Sequence, residues 1–427
     1  MRSVRGSETA PSRERTRSDR SGPVSASQPI LVLNVPAHGH INPTLPVVAE
    51  LASRRHRLIY YDTEDFRAKI EEAGVEFRAY PASGLTASDF ARRAESLPDV
   101  TLLILEQSLQ LLPFVLGEID RENPSVLVFD SIALWGMQAA RLRRLPSVSS
   151  ISTLIHEGVP DAMTARDVLH LLRDALPVLL GIARRRRGLV ARFGPQVFPR
   201  KSIAPCLGDT NIVYTSRTFQ PDTTFIDDTF RFVGPSIRPA THSRANDSHG
   251  LDIDPDRPCV YLSLGTIYHR ATNFFRTAFE SFAGHSAQFV ASAGDEANLR
   301  DLPPAPANFI VRPYMPQVDI LHRADAFVNH GGMNSISEGL YFAVPLVVVP
   351  QQIEQALNGR RVAEVGAGIL LGDRPPYGRV DADQLRAAVD RVLGQPVYAA
   401  CARRIGESFR KSGGYAEAAS LIEARLG

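Results

Sequence analysis

The sequence predicts an α/β protein made of two doubly wound parallel-sheet domains. Three observations predict it. Short β-rich runs alternate with helical stretches along residues 30–150, as in a parallel sheet covered on both faces. Residues 234–258 (GPSIRPATHSRANDSHGLDIDPDRP) break that alternation, lack periodicity and read as a linker. The alternation then restarts at Cys259 and continues to about residue 395. Ligands of such sheets sit beyond the carboxyl ends of the strands, so residues just after each strand are the first candidates for chemistry.

In order, Ile30–Pro36 is expected as a strand and Thr44–Arg54 as a helix. Leu58–Tyr61, Glu76–Ala79, Val126–Phe129 and Ser147–Ser150 are further strands, with helices at Asp65–Ala73, Thr101–Asp120 and Ile132–Arg144. The stretch Asp167–Arg187 is apolar and ends in four arginines. It reads as a helix lining a pocket with a solvated basic end. A membrane-surface helix is the competing reading, which Pro177 weakens.

The 427 residues suffice for about two to three domains, and 44% hydrophobic with 22% charged content suits a sizeable core. A net charge of +2 gives no field that would attract nucleic acid. Cys206, Cys259 and Cys401 are far apart and show no zinc spacing, which favours a reducing, cytoplasmic setting. Residues 1–28 are rich in Arg, Ser, Pro and Gly and are expected to be a disordered extension, with no apolar core for a signal peptide. No unbroken run of 18 apolar residues is present, so no membrane span or stable anchor is expected.

The most informative stretch is His330–Gln355. Ala326–Asn329 ends a strand, His330-Gly331-Gly332 is a turn, and Met333–Phe342 is a helix with Asn334 and Ser335 in its first turn. A glycine turn entering a helix N-terminus makes an anion site, because free N–H groups and the positive dipole end point at the ligand. Gly332 allows close backbone approach, and His330 would stand beside a diphosphate. Glu338 lies four residues after Asn334 on the same helix face and would accept from ribose hydroxyls. Glu354 and Gln355 follow the next strand, at Val344–Val349, and would grip a polyol. Gly265 and Thr266, after Cys259–Leu264, provide a second close approach and a phosphate donor. Tyr314, beyond the strand Phe309–Val311, would stack on a pyrimidine, with Gln317 or a backbone group reading its edge.

At the first sheet's edge, Ile30–Pro36 runs into Ala37-His38-Gly39-His40-Ile41-Asn42-Pro43. A histidine at the strand tip would deprotonate an alcohol, and Asp130, ending its own strand, would orient the ring.

The order of a phosphate turn, a ribose carboxylate and a polyol pair resembles the nucleotide-sugar signature of family 1 glycosyltransferases. The likeness is closest to the bacterial macrolide and flavonoid type, through AHGHINP, NIVYTSRTFQP, FVGPSI, VYLSLGT and VRPYMPQ, and it spans Pro29 to the C-terminus. It implies a GT-B fold, two Rossmann-like domains facing a cleft. Residues 29–233 would bind the acceptor, 234–258 link, 259–405 bind the nucleotide sugar, and 406–427 form a helix crossing back. It implies inverting, metal-independent transfer of a hexose, glucose from UDP-glucose, to a hydroxyl of a lipophilic natural product such as a macrolide or flavonoid. A dTDP-deoxysugar is the alternative donor. No cofactor beyond the nucleotide-sugar co-substrate is implied. The resemblance assigns the base to His40, not His38, and its partner to Asp130. Two departures stand out: Tyr314 occupies a place where plant members usually carry Trp, and Glu354-Gln355 replaces the more frequent Asp-Gln.

Asp252-Ile253-Asp254 could suggest a metal, but its linker position favours solvated carboxylates. Gly366-Ala367-Gly368 follows a helix instead of a strand, so a helix C-cap is expected there in place of dinucleotide binding. A sugar-nucleotide epimerase of the same fold would need no acceptor pocket, against the apolar stretch at 151–195. A silent helper protein would lack the base.

Overall fold

A computed structural model describes residues 28–81, 86–93, 96–156, 164–199, 204–238, 251, 253–265, 272–294 and 299–426. Thr266, Asp252, most of the 1–28 extension and much of the expected linker lie outside the described residues.

Two parallel sheets form the molecule. The first holds seven strands: β1 (Ile30–Leu33), β2 (Leu58–Asp62), β3 (Glu76–Ala79), β4 (Val126–Asp130), β5 (Ser147–Ile151), β6 (Thr210–Val213) and β7 (Phe230–Phe232). Their spatial order is β3-β2-β1-β4-β5-β6-β7. The second holds β8 (Cys259–Ser263), β9 (Gln288–Ser292), β10 (Phe309–Arg312), β11 (Ala326–Asn329), β12 (Leu346–Val348) and β13 (Gly368–Leu370), in the order β10-β9-β8-β11-β12-β13. The two orders are the same winding used twice. Helices cover both faces, so β1, β4 and β8 are buried along their whole length and read as apolar runs without alternation.

Winding reverses between β1 and β4 in the first sheet and between β8 and β11 in the second. Leu33 pairs with Phe129, and Asn329 with Ser263. Each pair opens a crevice at its carboxyl end.

Several helices differ from the sequence reading, among them the stretch Asp167–Arg187, which forms two helices, Ala165–Ala175 and Leu179–Phe193, on either side of Pro177. The helix after β1 spans His38–Ser53, six residues earlier than expected, and contains Pro43 and Pro46. Proline inside a helix removes a backbone donor, which is why the sequence suggested a later start. Both histidines therefore sit in the first helical turn. The long helix runs Leu97–Glu122, with Ser96 accepting from Asp99 N–H at its start and Asn123 left-handed at its end. By length and composition it could cross a membrane. Here Leu103, Leu105, Leu111, Leu112 and Val115 pack into the first domain's core instead. The glycines at 366–368 close the helix Ile353–Glu364: Gly366 has φ +73° and Ala367 N–H returns to Val362 O at 3.0 Å, a C-cap geometry.

After the helix Pro396–Lys411 the chain returns to the first domain. Helix Gly414–Glu423 buries Ala418, Ala419 and Ile422 with Val47, Val48 and Leu51. Glu423 pairs with Arg54 at 2.6 Å and His56 at 2.7 Å. The outgoing and returning segments touch, with Gly414 N–H donating to Val233 O at 2.6 Å.

Gly406 lies where the helix Pro396–Lys411 crosses Met333–Tyr341, and a Cβ there would overlap the Leu340 carbonyl. Backbone cannot swing aside, so Gly406→Ala is expected to cost about 1–3 kcal/mol. A urea-denaturation midpoint equal to that of the wild type would refute so close a crossing.

Candidate active site

The first crevice separates its two histidines. His38 turns outward, 4.9 Å edge-on to Phe66 and 3.5 Å from Lys69 Nζ. Burial, then Lys69, pulls its pKa below the ordinary histidine value. His40 turns inward: its Nδ1 is 2.8 Å from Asp130 Oδ2 and 3.3 Å from Ser152 Oγ. Asp130 is 1% exposed and also accepts from Ile132 N–H at 2.9 Å. Burial works against a charged His40, but Asp130, followed by Glu354 and Asp62, outweighs it and raises the pKa. With Nδ1 spent on Asp130, Nε2 is the nitrogen left for a substrate proton.

Beneath His40 is a buried polar group that the motif analysis missed. Asn34 Nδ2 donates to His40 O at 3.3 Å and to Tyr60 Oη at 2.6 Å, while Asn34 Oδ1 accepts from Val35 N–H. Tyr80 Oη donates to Asn34 O, and Trp135 Nε1 to Tyr80 Oη. A polar residue interrupting ILVLNV was the available signal. Asp62, fully buried at the end of β2, has its pKa pushed well up by burial.

The second crevice collects the expected donor residues, Thr266 excepted. Gly265 has φ +79°, and its missing Cβ leaves room for the His330 ring, which a side chain at Gly332 would also strike. Burial lowers the His330 pKa to about 4, with the Ser263 backbone as its hydrogen-bond partner. The ring is neutral at ordinary pH and its one N–H is taken by the Ser263 backbone, so it carries no charge to set against a leaving group. Gly332 caps the helix Met333–Tyr341, placing Asn334 and Ser335 in its first turn.

Glu338 accepts from Gln317 Nε2 at 2.6 Å, so these two side chains are partners, and burial pushes its pKa up to about 7. Tyr314 is 75% exposed, so its ring lies outside the core. Glu354 has its pKa raised by burial; Asn358 Nδ2 donates to it at 3.1 Å, and His40 acts on it electrostatically. Gln355 is 4% exposed, and its Oε1 accepts from Gln351 N–H at 2.8 Å.

The crevices face each other. Pro43 has no N–H to return to Gly39 O, and that carbonyl is met instead by Asn334 Nδ2 of the other domain at 3.4 Å. The mutual effect of Glu354 and His40 crosses the same gap. A histidine–aspartate pair, a helix N-terminus and buried carboxylates thus converge on one cleft. Among the described residues no group of three His, Cys, Asp or Glu could hold a metal ion.

Comparison with known proteins agrees with this architecture. Residues 282–423 match the family described as Erythromycin biosynthesis protein CIII-like, C-terminal domain. The chain is 31% identical to the NDP-glycosyltransferase YjiC of Bacillus subtilis (strain 168), covering 92% of this chain and 96% of that protein. It is also 31% identical to the uncharacterized UDP-glucosyltransferase YojK of the same strain, over 92% and 97%. The solved glycotransferase of kitacinnamycin superposes with a TM-score of 0.78 at 26% identity, covering 94% of this chain and 99% of that one. The chain therefore belongs to the family 1 glycosyltransferases, is a transferase of the macrolide and antibiotic type, and has the GT-B fold.

Proposed function

We propose that the protein transfers glucose from UDP-glucose, with inversion and without a metal, to a hydroxyl of a lipophilic natural product such as a macrolide or flavonoid. The 2.8 Å contact between His40 and Asp130 at the mouth of the first crevice carries this reading. His40 Nε2 takes the acceptor proton as the oxygen attacks the anomeric carbon, and the bond to the diphosphate oxygen breaks on the opposite face. Asp130 stabilises the imidazolium that forms. The helix N-terminus at Asn334 and Ser335, with Thr266 as a hydrogen-bond donor, receives the departing charge, and the His330 ring holds the turn beside it. Tyr314 stacks on the base, Gln317 reads its edge, and Glu338 holds the ribose, freed from Gln317 or sharing it. Glu354 and Gln355 form the sugar subsite. Glu354 is the arm with room to reach the sugar hydroxyls, because Gln355 Oε1 is engaged by the loop backbone. The Bacillus relative named as a UDP-glucosyltransferase supports the donor.

His40→Ala is expected to slow transfer by roughly 100-fold or more, with UDP affinity unchanged. Near-normal turnover would remove His40 as the base. Because His40 must be neutral to act, the rate should rise with pH through a pKa above the ordinary value of about 6.5. Asp130→Asn removes the charge that raises this pKa, so the acid limb of the rate profile should move to lower pH. A limb that stays put would break the coupling.

Turnover should persist in excess EDTA, while His330→Ala should lower it by about 100-fold, as for misplacement of the turn that the ring holds between Gly265 and Gly332. Abolition by chelation with rescue by Mn²⁺ would overturn the metal-independent mechanism. In direct competition UDP-glucose should outrun a dTDP-deoxysugar, since unmet buried hydrogen bonds cost about 1–3 kcal/mol. A clear preference for the deoxysugar would refute the reading of Glu354 as a hydroxyl reader.

A further inference from the structure

Asp167 is fully buried on the first domain's helix Ala165–Ala175. It accepts from Thr164 N–H and Oγ1, both at 2.8 Å, closing the cap of its own helix. Its remaining partners come from the other domain. Arg360 approaches at 3.1 Å, and the Tyr377 hydroxyl donates to its second oxygen. Arg360 is fixed in turn by Asp373 O at 2.7 Å. Burial opposes charge on Asp167, but Tyr377, Thr164 and Arg360 overcome it and hold its pKa low. The next residue, Arg361, donates to Phe219 O at 2.7 Å and Thr218 O at 3.1 Å. Gln220 beside them clasps Ile155, accepting from its N–H at 3.1 Å and donating to its carbonyl at 2.7 Å. One helix, Ile353–Glu364, thus holds Asp167 directly through Arg360 and reaches, through Arg361, the turn whose Gln220 holds Ile155. That same helix presents Glu354 in its first turn.

We propose that Arg360 and Tyr377, through Asp167, are positioning residues that tie the acceptor-side helix Ala165–Ala175 to the helix bearing the donor-sugar carboxylate. The proposal rests on the transferase reading above for what each side binds. Its physical content is coupling. A donor that draws the helix Ile353–Glu364 into place also places the helix carrying Leu169, Leu172 and Leu176, which are 69%, 59% and 70% exposed. Their spacing puts them on one apolar face suited to a lipophilic acceptor. Donor occupancy thereby prepares the acceptor surface before the acceptor arrives.

Hydrogen exchange on the full chain, with and without UDP, tests this. Tyr377→Phe and Arg360→Gln leave the Thr164 cap intact, whereas Thr164→Ala weakens the cap and leaves the interdomain contacts. UDP should slow exchange of residues 165–175 in the wild type and in Thr164→Ala. That protection should fall by about fivefold or more in Tyr377→Phe and Arg360→Gln, a change worth roughly one kcal/mol. The helix Leu134–Arg143 should stay unchanged. The same two variants should raise the acceptor KM with little effect on kcat. Full UDP-dependent protection in both variants would overturn the latch, as would its loss in a transferring enzyme whose acceptor KM is unaltered. A wild type that transfers no sugar would count against the proposed function, and the exchange data alone would then decide the latch.

Discussion

Two neighbouring parallel strands whose connections leave in opposite directions cannot close the space beyond their carboxyl ends. That gap is the constraint on which this molecule depends. It occurs at β1/β4 and again at β8/β11, and each time the residues leaving the strands are those with chemistry: His40 and Asp130 in one, Gly265 and His330 in the other. Neither gap alone is a transferase site. The pairing of one with the other, made visible by the Asn334 contact to Gly39, brings a base within range of a donor pocket.

The cleft manages charge by partition. Carboxylates at Asp62, Asp130, Glu338 and Glu354 are withdrawn from water, and burial raises the pKa of Asp62, Glu338 and Glu354. Asp130, in direct contact with His40, is the largest influence raising the pKa of that ring. The turn after β11 instead presents the N–H groups of a helix start beside a histidine whose pKa burial lowers to about 4. Under the proposed transfer, a departing diphosphate would meet dipoles already oriented toward it.

Much of this was legible in the sequence because it is local. Phosphate turns, strand-end histidines and the 330–355 block depend on residues a few positions apart, and the alternation of strands and helices follows from burial on both faces. The start of the helix at His38 was not legible. Pro43 and Pro46 argue against it locally, and only a partner in the other domain accounts for the carbonyl that Pro43 leaves open. Strand β7, at three residues, is too short to assert a period. Gln317 looked free to meet a base, yet its partner Glu338 lies on a different element. Asp167, Arg360 and Tyr377 are separated by up to 210 residues, and no spacing rule reaches that far.

The chain passes between the two sheets twice, and both passages run through one spot: Val233 touches Gly414, and Gly234 abuts the Phe409 carbonyl. Two tethers pinned together act as a pivot. Such a pin resists one lobe sliding or drifting away from the other. It also means that the first lobe is not a continuous stretch of gene, since its last helix, Gly414–Glu423, follows the whole of the second. Severing the chain once, anywhere in the linker, would leave the donor lobe carrying a helix whose buried face belongs to its neighbour.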